Sequence, residues 1–306
     1  MSADDPSSLR TELASLAELV RENEPLARHS TFAIGGPADF YVEPKTLPEL
    51  KKIVAWSNRH GLPLFPIGQG SNLLIGDKGV RGVVVRLRGE FEEISFDGER
   101  VSAGAGAPLP SLAKACAQNG LAGAEPLAGI PGTVGGALMT NAGTPEGDIG
   151  SLVDEVEILE NSGKPAVLAK KDIVFSYRRS DLPGRLVLRA RLKLRRGDKN
   201  DIMAAIQNQL NRRAKTQPLG SYNVGSIFKN PPGDFAARLV DAAGLKGLRV
   251  GGAAVSDKHA NFIVNAGQAT AEDVHRLIEK IRRTVQEKFG VLLETEIWFA
   301  GERSTF

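Results

Sequence analysis

Apolar residues recur along the chain at two different periods, and the switching between them predicts a mixed α/β architecture. Thr46-Leu47-Pro48-Glu49 has the signature of a helix start, with Thr46 capping and Pro48 in the first turn, and Leu50, Ile53, Val54 and Ser57 follow on one face. Gly61 ends that helix. Two β-rich runs come next, Pro63 to Ile67 and Gly82 to Leu87, then a hairpin from Phe91 to Ala103 around Asp97-Gly98. A helix is predicted from Pro110 to Asn119 with Gly120 after it. Leu152 to Leu159 and Arg185 to Leu194 alternate apolar and polar residues, as half-buried strands do.

Past Arg195-Arg196-Gly197-Asp198 the alternation gives way to a helical pattern through Ile202, Ile206 and Leu210, and a domain boundary is expected there. The final third carries a long helix opening at Thr270-Ala271-Glu272-Asp273, with Val274, Leu277, Ile278, Ile281 and Val285 on one face and Gly290 as its stop. Val291 to Phe299 then reads as a strand with Glu294 and Glu296 on one face and Leu293, Thr295 and Ile297 on the other.

One stretch fits neither period. Pro126 to Pro145 carries no charged residue and holds three prolines and five glycines, which would repeatedly break a membrane-spanning helix. A buried loop system is expected instead, in which main-chain amides approach something small and anionic such as a pyrophosphate.

Composition narrows the partners. Glycine is in excess, 34 of 306 residues, while hydrophobic (42%) and charged (25%) fractions are those of a globular chain. Lys and Arg total 39 against 36 Asp and Glu, and a net charge of +3 argues against nucleic acid or an anionic membrane surface as partner. The single cysteine, Cys116, excludes an intrachain disulfide and a Cys-rich metal site, and the four histidines lack ligand spacing, so no metal is expected. The first ten residues begin with Asp4 and Asp5 and have no apolar run, which suits a cytoplasmic protein without a secretion signal.

Familiar nucleotide motifs fail. The spacing G-x-G-x-x-G breaks at Leu109 after Gly104 and Gly106, and at Leu73 after Gly68 and Gly70. A P-loop fails because Ser226 stands where lysine is needed after Gly220 and Gly225. Two other glycine-rich runs remain, Gly68-Gln69-Gly70-Ser71-Asn72-Leu73 after a strand and Ala128-Gly129-Ile130-Pro131-Gly132-Thr133-Val134-Gly135-Gly136. The first is explained nearly as well by a plain turn; together they suit a nucleotide cofactor. Arg189, Arg191, Lys193 and Arg195 read as the solvated face of a strand, and Tyr177-Arg178-Arg179-Ser180 as a loop after Phe175. Gly225-Ser226-Ile227-Phe228-Lys229-Asn230-Pro231 sets a hydroxyl, an ammonium and an amide close together without periodicity, as a site would. By spacing alone Ser226 reads better as a turn or cap serine and Glu296 as a solvated strand carboxylate.

Over nearly its whole length the chain resembles the UDP-N-acetylenolpyruvoylglucosamine reductase family. The matches run from Asn23-Glu24-Pro25-Leu26, through Thr31-Phe32 and Gly35-Gly36-Pro37-Ala38-Asp39, to the two glycine-rich runs. Asn141-Ala142-Gly143, Phe175 to Ser180, Gly225 to Pro231, Ala243 to Asn265 and Leu293 to Ile297 complete the series. The resemblance implies fold class α+β / α/β. Residues 1–33 would be an N-terminal segment, 34–198 an FAD-binding domain of the vanillyl-alcohol-oxidase (PCMH) type in two subdomains dividing near 90, and 199–306 a substrate domain, with the flavin between them. It further implies bound FAD, NADPH as co-substrate, a monomer, and reduction of UDP-N-acetylglucosamine enolpyruvate to UDP-N-acetylmuramate for peptidoglycan.

By that resemblance Arg178 and Glu296 stabilise an enolate and Ser226 protonates it, while Tyr177, Lys229 and Asn230 contact the substrate. Gly68, Gln69, Gly70, Ser71, Asn72, Leu73, Gly129, Pro131, Gly132, Val134, Gly135, Gly136, Asn141 and Gly143 would hold the cofactor. Gln69, Asn223-Val224 and Trp298 depart from the family pattern. The 47 residues between Arg178 and Ser226 match a shorter branch lacking a tyrosine-bearing loop. An FAD-dependent oxidase of an alcohol or sugar is the alternative enzyme on this cofactor fold, and a binding protein that lost its chemistry is the non-enzyme alternative.

Overall fold

The structure, a computed structural model, describes residues 6–301, so the acidic start of the chain and its last five residues lie outside the described residues. Two compact units emerge. The first takes the chain up to Asn23 together with 39–68 and 82–211; the second takes 24–38, 69–81 and the chain from Arg212 onward.

The first unit is built on two sheets. The Thr46 hydroxyl accepts the Glu49 amide (3.4 Å) and starts the helix Leu47–Arg59, whose Leu50, Ile53, Val54 and Trp56 are buried in one core with Phe40, Val42, Val83 and Val85. Those four come from a four-stranded sheet in the order Val20–Pro25, Pro37–Val42, Val80–Val85, Leu64–Pro66. The second sheet has five strands in the order Pro165–Ala169, Val153–Leu159, Leu186–Lys193, Arg100–Gly104, Ile94–Asp97, each antiparallel to its neighbours. Its last two strands are the expected hairpin, turned by Gly98 at φ 61°. Arg191 and Lys193 of the middle strand are exposed, as expected of a solvated face, and Arg189 is half-buried with its guanidinium on the Glu90 carbonyl (3.2 Å).

The helix Leu109–Gln118 buries Cys116 in this core, and burial pushes the thiol up to about 12. Native protein at pH 8 is therefore expected to leave Cys116 unlabelled by a thiol reagent over a time in which denatured protein reports one thiol, a difference that thiol titration reads directly.

Three expectations change. The uncharged run from Pro126 is not all loop: Thr133 accepts the Gly136 amide (3.3 Å) and, with Val134, Ala137 and Leu138 buried, starts a helix over Val134–Thr140. The helix predicted at 199, Lys199–Thr216, does not open the second unit. Ile202 and Ile206 on one face join the first unit's core, so the division falls after Asn211, and Leu210 is exposed. The strand expected over 291–299 is reduced to a bridge at Thr295 and a short strand, Trp298–Ala300, parallel to Leu73–Ile75.

In the second unit the helix Ala271–Phe289 forms as read. Thr270 and Asp273 make a capping box, and Gly290 closes it at φ 70°. Its Val274, Leu277, Ile278, Ile281 and Val285 pack with Phe32, Ile34, Leu74, Ile227 and Phe228, drawn from all three segments of the unit. A three-stranded sheet, Arg249–Val250, Ala253–Val255, Ile263–Asn265, covers the same helix. Among the described residues no helix is long and apolar enough to cross a membrane.

Candidate functional site

The two glycine-rich runs meet at Gly68. A Cβ there would lie 2.6 Å from the Thr133 hydroxyl oxygen, so only glycine lets the end of the first run pass the cap of the second. The first-turn amides of the Val134–Thr140 helix are already engaged: Val134 donates to Ala107 O (2.9 Å), Gly135 to Ala105 O (2.8 Å) and Gly136 to Thr133 Oγ1. The amides of Gly129, Gly132 and Thr133, just before that helix, donate to no group among the described residues. Of the cofactor candidates on this run, Pro131 and Gly136 are exposed and Val134 is buried in the core.

In the second unit the loop from Gln69 to Leu73 runs beside the segment 29–31. Gly70 has φ 61°, a Cβ on it would stand 2.4 Å from the His29 carbonyl oxygen, and its own carbonyl accepts the Ser30 hydroxyl (3.3 Å). The amides of Gln69, Gly70 and Asn72 donate to no group among the described residues, a cluster of amides suited to phosphate oxygens.

From there the chain leads to the candidate catalytic residues. Asn72 Nδ2 donates to the Glu296 carbonyl (3.3 Å), and Trp298 N donates to Asn72 O (2.9 Å). Glu296 N in turn donates to Ile227 O (2.7 Å), the residue after Ser226. Ser226 bridges to Phe262 and Phe228 to Thr295, so Gly225–Lys229 is an extended segment held on both edges, one of them by the segment carrying Glu296. The buried Asn261 locks it: its side chain accepts the Phe228 amide (2.9 Å) and donates to the Phe228 carbonyl (2.8 Å), while its carbonyl accepts Ile227 N (2.8 Å). Sequence reasoning passed over Asn261, although a polar residue flanked by Ala260 and Phe262-Ile263 was the available signal.

Ser226 and Glu296 are half-buried, and Glu294 is exposed with Lys229 Nζ 3.4 Å away. Asn230 uses its side-chain carbonyl on the Ala236 amide (3.1 Å), which opens the helix Ala236–Ala242.

Arg178 lies in the first unit and is not in an irregular loop. Phe175–Ser176 and Arg179–Ser180 pair as a minimal hairpin with Tyr177-Arg178 as its turn. Arg178 takes φ 55°, a left-handed conformation unusual for a non-glycine residue, and its guanidinium carbon lies 5.4 Å from the centre of the exposed Tyr177 ring. Asn141 also has positive φ, 48°, and its side chain is turned to Ser176 and Gly150; Gly143 sits in a tight ladder where a Cβ would meet Asp148 Cα at 2.5 Å.

Residues 217–300 match the family model described as UDP-N-acetylenolpyruvoylglucosamine reductase, C-terminal domain, and residues 38–168 match the FAD binding domain. A UDP-N-acetylenolpyruvoylglucosamine reductase of Symbiobacterium thermophilum is 46% identical over 94% of each chain, and one of Moorella thermoacetica 46% identical over 97% of this chain and 99% of its own. The chain belongs to this reductase family. The crystal structure of the Thermus caldophilus reductase, 41% identical, superposes with a TM-score of 0.81 over 92% of this chain and 100% of that one. A 4-ethylphenol oxidase from Gulosibacter chungangensis, 18% identical with a TM-score of 0.51, covers 96% of this chain and 66% of its own and shares the fold alone.

As a member of the reductase family the chain is an FAD-dependent oxidoreductase, with a two-subdomain FAD-binding fold and a C-terminal domain. In the second unit, the amides of Gln69, Gly70 and Asn72, which donate to no group among the described residues, and the Gly70 position that admits no Cβ fit a flavin nucleotide's diphosphate. Gly70→Ala puts a Cβ against main chain in a left-handed backbone and is expected to weaken FAD by about tenfold or more, measured by fluorescence titration of the apoprotein.

Proposed function

We propose that this reductase-family chain reduces the enolpyruvyl ether of UDP-N-acetylglucosamine enolpyruvate to the lactyl ether of UDP-N-acetylmuramate, with NADPH as electron donor, in peptidoglycan precursor synthesis. The observation that carries the reading is the hydrogen-bonded path in the second unit from the Gln69–Asn72 amides through Asn72 and Glu296 to the Ser226 segment. It joins the elements of a cofactor cradle to a carboxylate and a hydroxyl.

When bound, FAD supplies a hydride, obtained from NADPH, to the terminal vinyl carbon of the substrate. Negative charge then spreads over the adjacent carbon and its carboxylate. The Arg178 guanidinium holds that carboxylate in a bidentate pair, which strengthens as charge develops. Ser226 Oγ–H gives its proton to the adjacent carbon, completing addition of hydride and proton across the double bond, and the hydroxyl is restored by a proton from solvent. Glu296 acts with Arg178 in stabilising the enol form. Lys229 and the amide group of Asn230 meet anionic and sugar groups of the nucleotide, with Tyr177 at the substrate beside Arg178.

An anaerobic visible spectrum tests this reading. Flavin bands that bleach on NADPH and return on the enolpyruvyl nucleotide support it; bands that return only with O₂ replace it with the oxidase.

A further inference from the structure

The hairpin that carries Arg178 is small: two residues pair with two, one further pair of bonds joins Val174 and Asp181 (3.2 and 3.0 Å), and its turn holds a non-glycine residue at φ 55°. What holds it comes from the helix Val134–Thr140. Asn141, the C-cap of that helix, is 3% exposed and itself left-handed; its Nδ2 donates to Ser176 O (2.9 Å) and its Oδ1 accepts Gly150 N (2.9 Å). On the other strand of the hairpin, the buried Ser180 hydroxyl donates to Met139 O (3.0 Å), two residues before Asn141. Both strands are thus tied to one helix end. Gly150 is part of the joint, because a Cβ there would lie 2.6 Å from the Phe175 ring and 2.7 Å from Asn141 Oδ1. The other end of the same short helix is the Thr133 cap against which Gly68 closes.

We propose that Asn141 is a positioning residue for Arg178: with Ser180 it sets the place of the turn relative to the glycine-rich helix, so that the guanidinium meets the substrate carboxylate. The inference rests on the role given to Arg178 above. Both ends of the Asn141 side chain are spent on Ser176 O and Gly150 N, and it acts on Arg178 through those two hydrogen bonds.

Asn141→Gly is the informative substitution, since glycine keeps the left-handed cap while deleting the tether. Because the resemblance also places Asn141 among the cofactor residues, the NADPH half-reaction is read on Ser180→Ala, which cuts the second tether outside the cofactor and substrate sets and is expected to bleach within about twofold of the parent rate. Reoxidation by the enolpyruvyl nucleotide should fall on the order of 10²-fold, with a raised KM for it. Asn141→Gly should lose reoxidation at least as much. Combining Asn141→Gly with Arg178→Ala should add little to the loss from Arg178→Ala alone, whereas independent effects would multiply.

Parallel loss in both half-reactions, or weaker FAD binding in step with the rate, would make Asn141 a structural or cofactor residue and overturn the proposal. An Arg178→Ala enzyme that slows while both tether variants reoxidise normally would overturn it too, leaving the role of Arg178 standing. Normal reoxidation in Arg178→Ala itself would sink the reading on which the proposal rests.

Discussion

Ser226→Ala is expected to slow reduction of the enolpyruvyl nucleotide by about 10²–10⁴-fold while leaving flavin content and the NADPH half-reaction within a few-fold of the parent. The selectivity follows from where Ser226 sits. Its segment is held through main-chain bonds of Ile227 and Phe228 to Asn261 and Glu296, none of which uses the Ser226 hydroxyl. Removing one half-buried oxygen would therefore take away the proposed proton donor without loosening the scaffold, and the melting temperature should hardly move. Anaerobic stopped-flow on pre-reduced enzyme isolates the step. Equal damage to both half-reactions would remove Ser226 from the proton-transfer role.

Arg178 offers a sharper comparison, because its backbone and its side chain can be separated. Alanine and glycine at 178 both delete the guanidinium, and both should cut the oxidative half-reaction by about 10²–10³-fold, the scale of removing a preorganised partner of a developing charge. They differ in the backbone. Alanine keeps a Cβ at φ 55°, whereas glycine is at ease there, so Arg178→Gly should be more stable than Arg178→Ala by about 1 kcal/mol. Thermal unfolding should place the two melting temperatures about 1–2 °C apart in a chain of this size. Arg178→Lys keeps a charge but not the planar fork and should recover only part of the activity. Two inactive variants with ordered stabilities would show that the strain is kept for the sake of the guanidinium; identical stabilities would mean that the turn carries no strain.

Elements whose signals are local were legible in the sequence. Thr270 and Asp273 cap the Ala271–Phe289 helix, Gly290 ends it, and the five apolar residues read onto one face are the five in its core. Asp97-Gly98 marked a real hairpin for the same reason. The segment 291–299 misled because alternation reports which side chains are buried, and Leu293 and Ile297 are buried, but a ladder needs a partner strand along its whole length. At the candidate site the glycine-rich runs were read from composition, whereas Ser226 and Glu296 were singled out by the family pattern; by spacing alone, turn serine and solvated carboxylate were the better readings. The tether from Asn141 could not be read at all, because it joins residues 35 apart through a left-handed cap and a two-residue hairpin that no periodicity announces.

The second unit draws on 24–38 and 69–81 as well as the chain from Arg212. On the ribosome, about 140 residues must follow Arg81 before Val224, the first partner of Phe32, Ile34 and Leu74 from the last segment, is made, a wait of roughly ten seconds. During that interval the first unit can close its own core while two apolar threads remain without a home. Premature termination anywhere before the Ala271–Phe289 helix would strand them permanently, and an isolated C-terminal fragment would lack Phe32, Ile34 and Leu74 from its centre. The Gln69–Leu73 loop proposed to hold the flavin thus gains its partners Glu296 and Trp298 only when synthesis is nearly done, which would place cofactor capture among the last events in the making of the enzyme.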